Sequence, residues 1–196
     1  CEAGVACYIP LAHRYLGVPE QLDLDLVLKK LKPLLEDPKL KKVGQNIKYD
    51  LIVLRSEGVN LVGVAFDTML ASYILNPSGR RHNMDDMARD YLDHTTTKYK
   101  EVVGTASKEI GFDEVDVERA TEYAAEDADV TLQLKPFLDE LLAKNPKAIE
   151  LLNEVELPLA RVLSKIECEG VNLDVAFLQE MSKTLEVDSR EVQQKI

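Results

Sequence analysis

A change of rhythm constrains this chain most. Over the first 75 residues, short apolar runs alternate with segments whose apolar residues recur every three or four positions; beyond them the pattern is helical almost throughout. Val5-Ala-Cys-Tyr-Ile9 is apolar and bounded by Gly4 and Pro10, which suits a strand. Leu24–Leu35 sets Leu24, Val27, Leu28, Leu31, Leu34 and Leu35 on one helical stripe, with Pro33 near its end. Lys42–Gly44 predicts a short strand, Asn46–Arg55 a helix stopped by Gly58, and Val62–Phe66 a further strand. Asp67 is placed to cap a helix running to Leu75, ahead of the turn Asn76-Pro-Ser-Gly79.

After that point the strand signals stop. Asn83–Leu92 predicts a short helix, and residues 93–116 read as loops and short helices. Val117–Leu142 predicts a long helix that Pro136 should kink or split. Ala148–Glu169 predicts another, bent at Pro158 and ended by Gly170, and Asp174 caps a last helix. The pattern gives an α/β front part, residues 1–145, and a helical extension, residues 146–196, with the boundary at Asn145-Pro146.

Composition narrows the function. Acidic residues number 35 against 24 basic ones, for a net charge of −11. Such a chain repels a polyanion at long range, which argues against a protein that coats DNA. A nuclease survives that argument, because its acidic residues hold cations that meet the phosphate. No apolar run approaches the roughly 18 residues a membrane helix needs. The chain opens without Met, so we expect part of a longer protein, and without a basic start followed by an apolar block, so we expect no secretory signal; the further expectation is a cytoplasmic monomer with no membrane partner. Cys1, Cys7 and Cys168 read as reduced thiols, and His13, His82 and His94 have no metal-ligand spacing.

Two stretches could carry chemistry. In Tyr123-Ala-Ala-Glu-Asp127 the phenol and the carboxylate stand four residues apart, on one helix face and one turn from each other. Such a carboxylate can hold a divalent cation while the phenol aims a water; with a resting pKa near 10, the phenol is a poor base at neutral pH. Upstream, Asp50 ends the polar run Gln45-Asn-Ile-Lys-Tyr-Asp50, which opens a predicted helix. Phosphodiester hydrolysis by two cations about 3.5–4 Å apart needs several carboxylates to converge. Asp50 and Asp127 are the candidates; Glu126 and Asp129 read as a solvated face and Asp67 as a cap rather than a ligand.

The wording of three segments goes further. Val43-Gly-Gln-Asn-Ile-Lys-Tyr-Asp50, Phe66-Asp-Thr-Met-Leu70 and Tyr123-Ala-Ala-Glu-Asp-Ala-Asp-Val-Thr131 follow in one order. Together they resemble the proofreading 3′–5′ exonuclease domain of the bacterial DNA polymerase I family (family A, Klenow portion), in the tyrosine branch of the DEDD superfamily. Residues Leu151–Ile196, with Glu156-Leu-Pro158 and Glu169-Gly-Val-Asn-Leu-Asp174, resemble the opening helices of the polymerase domain, at the base of its thumb.

The resemblance implies a ribonuclease H-like fold, a mixed sheet flanked by helices. It implies a pair of Mg²⁺ ions, with Mn²⁺ as a substitute, acting on the single-stranded 3′ end of primer-template DNA. By position Asp127 matches a direct metal ligand, Asp50 an aspartate that reaches a metal largely through water, and Tyr123 the tyrosine that positions the attacking water. Gln45, Asn46, Lys48 and Tyr49 match residues facing the DNA end, Arg81 an arginine near the terminal phosphate, and Tyr99 an aromatic against the terminal bases. The family's first motif, Asp-x-Glu on the first strand, belongs upstream of the segment that resembles Glu2–Ile9, so the expectation is a truncated exonuclease domain with little or no activity of its own. A non-catalytic DNA-binding scaffold and an RNA-trimming exonuclease of the same superfamily are the rival readings.

Overall fold

The computed structural model describes residues 2–79, 81–105 and 109–195; Cys1, one of the three expected thiols, lies outside them. In chain order the elements are α1 (Leu24–Leu35), β1 (Lys42–Gly44), α2 (Ile47–Ser56), β2 (Val64–Asp67), α3 (Thr68–Leu75), α4 (Met84–Leu92), α5 (Tyr99–Val103), a 3₁₀ turn (Phe112–Glu114), α6 (Val117–Ala143), α7 (Pro146–Leu151), a π turn (Leu152–Glu156), α8 (Leu157–Glu169) and α9 (Val175–Gln194). The two strands pair in parallel, Val43 opposite Phe66 and Gly44 opposite Asp67, with α2 as the crossover. The fold class is thus mixed α/β with a small parallel sheet among the described residues.

Local chemistry explains where these elements begin and end. Asp23 caps α1 through Leu26 N at 2.9 Å, Asn83 caps α4 through Asp86 N at 2.8 Å, and Asp174 caps α9 through Phe177 N at 2.9 Å. Strand β2 starts at Val64 rather than Val62 because Gly63 turns the chain with φ +73°. A Cβ there would meet the Leu40 carbonyl oxygen at 2.5 Å, so only glycine fits.

The chain divides into two compact units, residues 1–165 and 166–196. In the first, α6 is the spine. Val130, Leu134, Leu138 and Leu142 recur every four residues along one face, all buried, and pack with Phe66, Ala71, Met87, Ala88, Ala148, Leu152 and Leu157. Burying each such leucine contributes about 1.5–3 kcal/mol. A second cluster of Val102, Val103, Val115 and Ala120 takes in Tyr8, Phe112 and Tyr123 and fixes the N-terminal half of α6. In the second unit, Gly170 at φ +72° ends α8, and no residue of α9 is buried.

Several sequence expectations change. Val5–Ile9 is not a strand. Its turn closes through Val5 N to Glu2 O at 3.2 Å, Gly4 N donates to Asp129 Oδ1 at 2.7 Å, and a groove of about 400 Å³ lies among Val5–Cys7, Lys41–Val43 and the Ala128–Leu132 stretch of α6. No described strand is placed to pair with it, and an unpaired ladder has no reason to form. Helix α6 runs unbroken through Pro136. Pro158 is accommodated by the π turn one residue before α8, which widens the helix where a backbone donor is lost. The first compact unit extends twenty residues past Asn145-Pro146, since Ala148, Leu152 and Leu157 belong to the α6 core.

Candidate active site

Tyr123 and Asp127 stand one turn apart in the N-terminal half of α6, close enough for each to act on the other's pKa. Burial pushes the Asp127 pKa up to about 6; the Tyr123 hydroxyl opposes the shift and the charges of Glu126 and Asp85 add to it. Asp127 Oδ1 is buried with no hydrogen-bond partner among the described residues. Burial and the neighbouring carboxylates also raise the Tyr123 pKa, so the phenol stays protonated across the physiological range.

An aromatic group flanks this pair. Tyr99 stacks on Phe112 with centroids 6.1 Å apart and 18° between planes, and both meet the Tyr123 ring edge-on at 6.1 and 6.0 Å. Tyr99 still shows 48% of its surface to solvent. The three rings leave a hydrophobic face beside a carboxylate and a phenol.

The loop after α4 is pinned beside them. Glu126 Oε1 lies 2.7 Å from His94 Nε2, and Glu126 Oε2 accepts from Thr97 N at 2.8 Å. Burial alone would raise the Glu126 pKa, but the Thr97 and His94 bonds together hold it below the usual range. Between these anchors Thr96, buried, donates to Asp85 Oδ1 at 2.8 Å. Glu126 is therefore a clamp, not a member of a solvated face. Asp129 is engaged as well, accepting from Gly4 N and, at 2.6 Å, from Gln133 Nε2.

The second candidate carboxylate sits elsewhere in the same unit. Asp50, in the first turn of α2, is exposed, yet protein crowding raises its pKa; its own backbone N–H opposes the shift and the Asp67 charge adds to it. The acidic groups that act on Asp50 and on Asp127 are different ones, Asp67 for the first and Glu126 with Asp85 for the second. Gln45 is held by the protein, its Oε1 accepting from Thr68 Oγ1 and its Nε2 donating to His82 O at 3.2 Å. Asn46 takes the left-handed conformation, φ 55° and ψ 47°, and Lys48 follows in the first turn of α2. Tyr49 is 66% exposed, so it is not a packing residue. Arg81, exposed between α3 and α4, lies near enough to Asp86 to help lower its pKa, behind the larger effect of the Arg89 hydrogen bond.

Sequence reading missed Phe112, Asp85 and the His94–Glu126 clamp. Phe112 carries no motif, although a lone aromatic in a polar loop is a signal. Asp85 follows the Asn83 cap and looks like an ordinary first-turn acid.

A divalent cation suits Asp127: a buried carboxylate oxygen without a donor wants a positive charge, which would also reverse the raised pKa. Among the described residues no group of three or more His, Cys, Asp and Glu side chains is gathered closely enough to cage an ion.

A family model described as 3′–5′ exonuclease matches residues 1–143. DNA polymerase I of Pseudomonas aeruginosa is 48% identical over 186 residues, which is 94% of this chain and 20% of that protein. The enzyme of the same name from Rhizobium leguminosarum is 39% identical over 188 residues, 92% of this chain and 18% of that protein. The chain spans about a fifth of the length of these relatives. Among solved structures, the POL domain of Pol1 from M. smegmatis, in complex with DNA primer-template and dNTP, superposes with a TM-score of 0.68 at 25% identity, over 87% of this chain and 26% of that one. Brucella melitensis NrnC superposes at 0.55 with 21% identity over 82% of this chain and 72% of its own, a likeness of fold.

Proposed function

The chain belongs to the 3′–5′ exonuclease family found in DNA polymerase I, and from that premise we propose that its cleft binds the single-stranded 3′ end of DNA and serves hydrolysis of the terminal phosphodiester. The observation that carries this is the partnerless buried oxygen of Asp127 one helical turn from the Tyr123 hydroxyl, beside an exposed aromatic face.

Each residue has a part that follows from its surroundings. The Tyr123 hydroxyl, one helical turn from Asp127, has lone pairs that can accept from a water and turn that water's oxygen toward phosphorus. Its raised pKa makes it an orienting group and not a base. Asp127 would hold Mg²⁺ or Mn²⁺ directly, and Asp50 would reach the ions through water. The cations, when bound, lower the pKa of the attacking water and neutralise charge on the leaving 3′ oxygen. Tyr99, backed by Phe112, offers a stacking surface indifferent to base identity, which removal of any mispaired nucleotide requires. Arg81 meets the terminal phosphate, and Gln45, Asn46, Lys48 and Tyr49 line the path of the strand.

With Asp127 and a water-bridged Asp50 as the carboxylates assigned to the ions, cation binding is weak and cleavage close to background. Residues 146–196 are assigned by resemblance to the start of a polymerase domain, although Ala148, Leu152 and Leu157 pack into the α6 core. The protein acts as a monomer in the cytoplasm, at the nucleoid.

The test uses 3′-labelled single-stranded DNA with Mg²⁺ or Mn²⁺. Expected is DNA binding strengthened by the divalent ion and weakened several-fold by Tyr99→Ala, with at most slow, divalent-dependent cleavage that Asp127→Ala abolishes. Cleavage that survives Asp127→Ala, or binding indifferent to both Tyr99 and the cation, would overturn the reading. A strong preference for RNA ends would favour the RNA-trimming alternative.

A further inference from the structure

Asp67 is 1% exposed and takes part in none of the chemistry above. Its Oδ1 accepts from Met69 N at 2.8 Å, from Leu70 N at 3.1 Å and from Asn46 N at 3.3 Å, while Oδ2 accepts from Ile47 N at 2.7 Å. The first two bonds are an ordinary cap of α3. The last two belong to a different helix. The cap residue of α2, Asn46, makes no side-chain cap bond of its own and sits in the left-handed region, so the first amides of α2 find their acceptor on Asp67 instead.

One buried carboxylate therefore closes the N-termini of two helices, and both helix dipoles point their positive ends at it. Thr68 ties the same knot from the other side, donating toward Gly44 O at 3.4 Å and to the Gln45 carboxamide. The ends of β1 and β2 and the starts of α2 and α3 meet at this point. Asp50 is the fourth residue of α2, inside the turn that Asp67 holds.

We propose that Asp67 is a positioning residue for Asp50: it fixes the first turn of α2, and with it the direction in which Asp50 is presented to the cleft. The part concerning Asp50 rests on the function proposed above; the double cap does not.

Asp67→Asn separates the two duties. Asparagine keeps one oxygen for Met69 and Leu70 but turns an N–H₂ toward the Ile47 N–H. Amide hydrogen exchange followed by NMR on the full chain reads both helices at once. In the wild type the Ile47 amide, which no helix carbonyl can accept, exchanges as slowly as that of Leu70. In Asp67→Asn it speeds up by about tenfold or more while Met69 and Leu70 change by less than about threefold. Mn²⁺-induced broadening at Asp50 then weakens relative to that at Asp127. Equal acceleration at Ile47 and Leu70 would reduce Asp67 to a general structural cap and overturn the proposal, as would no acceleration at Ile47. Should the variant not fold, the wild-type Ile47 amide decides: free exchange there overturns the double cap. Absence of Mn²⁺ broadening at both aspartates in the wild type would sink the functional reading and leave the exchange result to judge Asp67 alone.

Discussion

The middle of α6 and the first turn of α2 each present one carboxylate, and the two are built differently. Asp127 is crowded by Tyr123, Glu126 and Asp85, carries a buried oxygen with no donor, and holds its proton up to about pH 6. Asp50 is exposed, and its main charged neighbour, Asp67, is already occupied by four backbone N–H groups. Both sites hold their carboxylates above the ordinary range, but among the described residues only the first has a buried oxygen with no donor, whereas at the second Asp67 is met by four backbone N–H groups. A directly bound cation would relieve the first, whereas the second would serve through an intervening water. The difference is one of second partners, not of the aspartates themselves.

Stability against pH should break or sharpen that contrast most strongly. Asp127 has a folded pKa of about 6 against an ordinary 3.8, so the native state favours its protonated form. Its penalty is absent below about pH 4, grows as pH rises through 6, and then stays. Asp127→Asn is expected to stabilise the chain by up to about 3 kcal/mol at pH 8 and by almost nothing at pH 4, in urea melts. Asp50→Asn should act with the same sign and less. Equal gains from the two substitutions would erase the distinction.

A smaller effect tests what holds the loop beside Asp127. Glu126→Gln removes the charge facing His94 and is expected to cost about 1 kcal/mol at pH 7. Because the Glu126 pKa is lowered in the folded chain, its contribution is present above the ordinary glutamate range and fades as pH falls through the lower folded value. A loss that persists undiminished at pH 3, by the same melts, would assign the effect to packing.

Much of this was legible in the sequence where one local rule acted alone. Leu24–Leu35 and Asp67–Leu75 follow from apolar spacing and a capping aspartate, and Lys42–Gly44 emerges as a strand with the same bounds. Tyr123 and Asp127 meet because i and i+4 share a helix face. The expectation failed where distant partners decide. Val5–Ile9 has strand composition, but a strand exists only through its neighbour. Pro136 lies inside α6 without splitting it because buried Leu134 and Leu138 hold the helix on both sides. Glu126 looked like a surface acid because its partners, His94 and Thr97, are about thirty residues away in sequence. The capping role of Asp67 was readable for α3; its hold on α2 was not, since nothing in Asn46 announces a left-handed turn.

The central claim is that Asp50 and Asp127 serve one cation-bearing cleft. Titrating Mn²⁺ into isotope-labelled chain and following paramagnetic broadening at both aspartates tests it directly. The account predicts that both sets of signals broaden together, over one concentration range, stronger at Asp127 and lost at both in Asp127→Asn. Broadening at Asp50 that persists in Asp127→Asn, or that follows a separate titration curve, would contradict it.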